Sequence, residues 1–179
     1  MDREDALKCL PLGRVTHVTS VHAPLDSRIY DKECRTLAMA GYNVTIVAPH
    51  DADEIIDGLQ IRAVRKPKGR FQRITQTVPA VYRAALSSTS HIFHLHDPEL
   101  MPLALLLRLQ GKRVIYDVHE DVPQDVLTKD YIPAPIRRLV SWLVWTLQKA
   151  SSKGFSAFVA ATPTIARYIP ADRTIVFHN

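Results

Sequence analysis

The chain has 179 residues, 46% apolar and 23% charged, with 23 Lys and Arg against 18 Asp and Glu for a net charge of +5. This is the balance of an ordinary globular protein, and the richest apolar run, Met101 to Leu109, is cut by Arg108 well short of a membrane span. Two cysteines, Cys9 and Cys34, without CxxC spacing argue against a disulfide framework or a zinc finger and fit a reducing cytoplasm, and the acidic start has no signal-peptide core.

In chain order, the β-branched stretch over 14–20 predicts a first strand, after an amino-terminal extension over 1–13. A loop over 21–26 leads to a helix in which Tyr30, Cys34, Leu37 and Ala38 share one face and Gly41 supplies the left-handed end. NVTIVA over 43–48 is a second strand, and an acidic loop precedes a short strand over 60–64. The helix predicted over 71–86 has Phe71, Ile74, Val78, Val81, Tyr82 and Ala85 as its buried side. A strand over 91–95 is followed by a helix from Pro98, apolar on nearly every side and so expected to be buried, and by a strand over 113–118. The helix over 135–149 carries the apolar stripe Ile136, Leu139, Val140, Leu143, Val144 and Leu147. A strand over 155–161, a short helix over 163–168 and a strand over 174–177 complete the chain. The alternation predicts an α/β protein, a three-layer Rossmann-like domain over 14–179 with a mostly parallel sheet.

Charge is unevenly spread. Between Gly58 and His96 there is no acid, whereas Arg62, Arg65, Lys66, Lys68, Arg70, Arg73 and Arg83 are all cationic. Such a segment suits an anionic partner, and the alternative is a solvated face. Within it, Arg65, Lys66, Lys68, Arg70 and Arg73 form the candidate anion or membrane-surface cluster. On the helix over 135–149, Arg138, Trp142, Trp145 and Lys149 suit a membrane interface or the cover of another element.

Several chemistries lack their motifs: there is no GxGxxG after the first strand, no P-loop and no GxSxG elbow. The strands over 91–95 and 113–118 instead each lead into a histidine and carboxylates, His96-Asp97 and His119-Glu120-Asp121. Parallel sheets place ligands beyond the carboxyl ends of their strands, so these residues are candidate binding groups. His94 and His96 form an HxH pair that with His119 or Asp97 could ligate a metal, the alternative for His94 being a core histidine. Asp97-Pro98-Glu99 also has the composition of a helix start, with Asp97 as the cap. Arg28, Lys32 and Arg35 fall at i, i+4 and i+7, a cationic row at a helix amino terminus.

The segments DSRIYDKECRTLAMAGYNVTIVA, HLHDPELMPLALLLRLQGKRVIYDVHEDVPQ, ATPTIARYI and TIVFHN resemble the amino-terminal domain of group 1 glycosyltransferases, glycosyltransferase family 4 with the GT-B fold, over residues 14–179. The resemblance implies one half of a two-domain, retaining hexosyltransferase of polysaccharide biosynthesis that needs no obligatory metal or cofactor. The donor, a nucleotide-sugar, would be held by a carboxy-terminal domain. On the acceptor side it implies His119 as the catalytic residue reaching the transferred sugar, and Asp26, Arg28, Lys32, His96, Asp97, Glu120 and Asp121 as substrate-binding. The acceptor would be a glycan or a lipid-linked glycan, with no nucleic acid involved, placing the protein in the cytoplasm or on the inner face of the membrane. The family's donor-binding pair of glutamates is missing, so the chain is expected to lack the donor domain and to be inactive alone. Two alternatives stand beside this reading. One is a non-catalytic Rossmann-like module binding a glycan, nucleotide, protein or anionic membrane, and the other is a metal hydrolase.

Overall fold

The computed structural model describes residues 12–119, 127–128 and 133–177, and the chain divides into two compact units, Met1–Phe93 and His94–Asn179. In the first unit, β1 (Arg14–Val18), β2 (Asn43–Pro49) and β4 (Leu59–Val64) run parallel in the order β4-β2-β1. The short β3 (Glu54–Ile56) lies antiparallel on β4, where the sequence reading expects an acidic loop. The turn explains the difference. Asp57 and Gly58 both have positive φ, 49° and 79°, and an Asp-Gly pair in that conformation closes a two-residue hairpin. Ile56 therefore sits opposite Leu59.

The first helix winds as a π-helix over Ser27–Cys34 and tightens to an α-helix over Arg35–Met39. It ends as expected at Gly41, with φ 92°. Ile29, Tyr30 and Cys34 bury against Val44, Ile46, Ala48 and Leu59 of the sheet, each large aliphatic contributing about 1.5–3 kcal/mol by burial. The next helical segment runs through Arg70–Gln72, a π stretch Arg73–Thr77 and the α-helix Val78–Leu86. The wider π turns shift the helical phase, so the predicted buried side does not hold along its length. Val81 and Ala85 are fully buried, whereas Phe71 is 84% and Ile74 52% exposed.

In the second unit, β6 (Arg113–Val118), β7 (Ala157–Ala160) and β8 (Thr174–Val176) are parallel. The strand β5 (Ile92–Leu95), on which the boundary between the units falls, is the neighbour of β6. In this core Tyr116 stacks on Phe155 with ring centroids 5.1 Å apart, and Phe155 meets Phe158 edge-on at 5.4 Å. After a 3₁₀ turn at Pro98–Leu100, the helix Met101–Leu109 buries Met101, Leu103, Ala104 and Leu107. Leu105, Leu106 and Leu109 are exposed, so this helix is not covered all round. The helix Ala134–Ser151 packs against it, yet Ile136, Leu139 and Leu143 of the predicted apolar stripe are about as exposed as Trp142 and Trp145. A helical apolar period records a preference for cover, and these three positions are left accessible. Among the described residues no helix is long and apolar enough to cross a membrane.

Candidate functional site

The second unit gathers its polar groups where β5 and β6 end. An acid inside an apolar parallel strand is expensive unless hydrogen-bonded, and Asp117 in the strand RVIYDV is fully buried. Its Oδ2 lies 3.3 Å from His96 Nδ1 and 3.1 Å from His119 Nδ1. These bonds bring the carboxyl ends of the two strands together. A carboxylate only accepts, so each imidazole presents its Nδ1–H to Asp117, which fixes the tautomer and aims Nε2 the other way. The rings of His96 and His119 are stacked 6.4 Å apart, and the His94 ring lies 4.7 Å from that of His96.

The two histidines on Asp117 differ in access. The His96 side chain is fully buried, and that of His119 is 19% exposed. Burial pushes the His96 pKa below its ordinary value, against the hydrogen bond and charge of Asp117, which raise it. His96 is thereby a neutral buried strut. His119, held by the same carboxylate and open on one side, is the group able to meet a ligand and exchange a proton or hydrogen bond with it.

A second buried cluster lies in the first unit. In a π-helix residues five apart stack, and that winding sets Arg28 Nε 3.6 Å from Glu33 Oε1. The other carboxylate oxygen, Oε2, is 3.6 Å from Nδ1 of His17, a fully buried residue of β1. The predicted cationic row is therefore broken up. Arg28 turns inward to Glu33, while Lys32 and Arg35 remain exposed, Arg35 pairing with Asp31 at 3.4 Å. Asp26 caps this helix, its Oδ1 accepting from the Arg28 and Ile29 amides at 3.0 and 3.1 Å.

Asp97 occupies the helix-start position, but its buried side chain makes no capping hydrogen bond. It lies near enough to His96 for its charge to favour the imidazolium. Glu120 and Asp121 lie outside the described residues. Of the basic cluster, Arg65, Lys66, Lys68 and Arg70 are exposed and Arg73 is half-buried, and Lys66 Nζ already holds Asp51 at 2.7 Å. Sequence reasoning passed over Asp117, His17 and Glu33. The signal for the first two was a titratable residue at an inward position of a β-branched strand.

A family model described as "Glycosyl transferase 4-like domain" matches residues 31–179. No curated protein matches the chain in sequence. Among solved structures, the catalytic domain of starch synthase IV from Arabidopsis thaliana, bound to ADP and acarbose, superposes with a TM-score of 0.60 at 13% identity, over 94% of this chain and 52% of that one. Sucrose-phosphate synthase from Thermosynechococcus elongatus gives 0.64 at 12% identity, over 93% and 48%. The glycotransferase of kitacinnamycin gives 0.51 at 11% identity, over 94% and 51%. The chain thus spans about half the length of each, and the likeness is one of fold: a Rossmann-like α/β domain with a mostly parallel sheet.

Proposed function

Since the chain belongs to the glycosyl transferase 4-like family and has the Rossmann-like α/β fold of GT-B glycosyltransferases, we propose that it is the acceptor-side half of a retaining enzyme. That enzyme moves a hexosyl group from a nucleotide-sugar to a glycan or lipid-linked glycan in polysaccharide assembly on the cytoplasmic side of a membrane. The observation that carries this reading is the pair of histidines anchored on Asp117 at the carboxyl ends of β5 and β6, where open α/β sheets bind ligands.

Glycosyl transfer passes through an oxocarbenium-like transition state while negative charge grows on the leaving diphosphate. His119 is the group assigned to the transferred sugar, its imidazole oriented by Asp117 so that Nε2 meets a sugar hydroxyl. His96, Asp97, Glu120 and Asp121 are assigned to acceptor binding, and so, separately, are Asp26, Arg28 and Lys32 on the loop and helix after β1. Arg28 acts by positioning Glu33, and Asp26 by capping the helix that carries both. The donor is assigned to a second domain, which makes these residues alone insufficient: one wall can neither bind the nucleotide nor exclude water. With radiolabelled nucleotide-sugars and oligosaccharide acceptors, the 179-residue chain shows no turnover. Robust transfer by the isolated chain would overturn the half-enzyme reading.

A peripheral membrane contact follows from a separate observation. Phe71 is 84% exposed and stands within the run Arg65, Lys66, Lys68, Arg70 and Arg73. An apolar side chain amid cations suits an anionic bilayer surface, where each cation contributes about 1 kcal/mol. Co-sedimentation with phosphatidylglycerol vesicles exceeds that with phosphatidylcholine, and Phe71→Ser weakens it. Equal, negligible binding to both removes this contact.

A further inference from the structure

The first unit's sheet has two unlike faces. One presents Val44, Ile46, Ala48 and Leu59 to the first helix. The other carries, in register across the strands, Arg14 beside Asn43 and Thr16 beside Thr45 and Gln60, with Arg62 beside Val47. A parallel sheet buried on both faces reads as continuous apolar runs. Here Arg14, Asn43, Gln60 and Arg62 are exposed, so this face is only partly covered and stays open to a ligand.

The polar face opens into a cavity of about 330 Å³, within the roughly 300–1,000 Å³ range of small-molecule sites. It runs along this face from Arg14 and Asn43, the first residues of β1 and β2, to Val47 and Arg62, and the turn Ser87–Ser90 after the helix Val78–Leu86 forms one wall. That wall is pinned to the sheet. The buried Thr16 hydroxyl donates to Ser90 Oγ at 2.8 Å and is 3.2 Å from Ser88 Oγ, which in turn accepts from the Ser90 amide at 3.2 Å. Opposite, Thr45 Oγ1 donates to Gln60 Oε1 at 3.3 Å, so that the Gln60 amide nitrogen remains as a donor.

The chemistry of the lining is specific. Two guanidinium groups, Arg14 and Arg62, border the cavity, no acid does, and neither arginine has an ion-pair partner among the described residues. Hydroxyl and amide groups supply nearly all the rest, Val47 and Ala84 being the apolar exceptions, and no aromatic side chain takes part. The absence of aromatics disfavours a nucleobase, which is normally stacked, and the scarcity of apolar surface disfavours an acyl chain. A guanidinium group matches a phosphoryl group, and a ring of hydroxyl and amide groups matches a polyol; Arg14, opposite Asn43, and Arg62, opposite Val47, offer that cation at two separate points of the lining.

We propose that this cavity binds a small phosphorylated polyol, such as a sugar monophosphate, with Arg14 or Arg62 on the phosphoryl oxygens and Asn43, Gln60 and the Ser87–Ser90 turn on the hydroxyls. The site is on a face of the sheet, and none of Val18, Pro49 and Val64, the last residues of these strands, lines it. The glycosyltransferase reading, which places substrates at carboxyl ends, assigns nothing there.

Isothermal titration of the chain tests this with glucose phosphate, ribose phosphate, glycerol phosphate, inorganic phosphate, sulfate and glucose. At least one phosphorylated polyol binds about tenfold tighter than inorganic phosphate, and glucose does not bind. Of Arg14→Gln and Arg62→Gln, both at exposed positions, at least one weakens binding about tenfold or more, the loss expected from removing a charge-assisted hydrogen bond. Lys153→Gln, exposed and outside the cavity, leaves it unchanged. Far-UV circular dichroism and an unaltered Tm establish that the variants are folded. The proposal fails if no phosphorylated polyol binds better than phosphate and sulfate, or if the double arginine variant binds as well as the parent.

Discussion

Replacing Asp117 by alanine removes the acceptor on which two imidazoles rest. Its side chain is fully buried, and the bonds to His96 and His119 are 3.3 and 3.1 Å. A buried donor left without its acceptor costs about 1–3 kcal/mol. His96, wholly buried, bears the upper part of that range; His119, partly hydrated, bears the lower part. Removing an unfavourably buried carboxylate returns some of the loss, so a net destabilisation of about 2–4 kcal/mol is expected, read as a lower urea midpoint at unchanged m-value. A second readout separates orientation from packing. The Asp117 charge and hydrogen bond raise the His96 pKa against burial, so Asp117→Asn, which keeps the shape, lowers it further in an NMR titration. A stability change under about 0.5 kcal/mol with an unmoved His96 titration would refute the claim that Asp117 anchors the pair.

Three further outcomes follow. His96 has a folded pKa below its unfolded value, so the unfolded chain binds the proton more readily, and stability falls as the pH drops through the ordinary histidine range; His96→Gln flattens that slope in urea titrations between about pH 7 and 5, and an identical slope would contradict it. Glu33→Gln withdraws the carboxylate facing buried Arg28 and His17, and costs on the order of 3 kcal/mol by denaturant titration, whereas a loss near zero would place these groups in water. Burial pushes the Cys34 thiol pKa far up, so in a Cys9→Ser background native protein resists alkylation at neutral pH and reacts only in denaturant; rapid native labelling would contradict the burial.

The α/β class and the strand order along the chain were legible because apolar and β-branched runs alternate with helical periods. The β3 hairpin was also legible in principle, in the Asp57-Gly58 pair, but flanking acids gave the stretch the look of a loop. Phe71 and Ile74 were misplaced because periodicity assumes α winding, and the π turns at Arg73–Thr77 break the phase. The same assumption drew Arg28, Lys32 and Arg35 into one row, whereas π winding pairs Arg28 with Glu33. At the candidate site, His96 and His119 stood out because they follow their strands. Asp117 did not, since an acid within a strand reads locally as an outward residue and only the sheet shows it turned inward.

The acceptor-side assignment is tested most directly at the imidazoles themselves. Histidine side-chain NMR of the 179-residue chain is recorded during parallel titrations with an oligosaccharide panel and with UDP-glucose and ADP-glucose. The account predicts saturable shifts of His119 and His96 with at least one oligosaccharide, abolished in Asp117→Asn, and no comparable response to either nucleotide-sugar. Shifts driven by the nucleotide-sugars and by none of the oligosaccharides would contradict it.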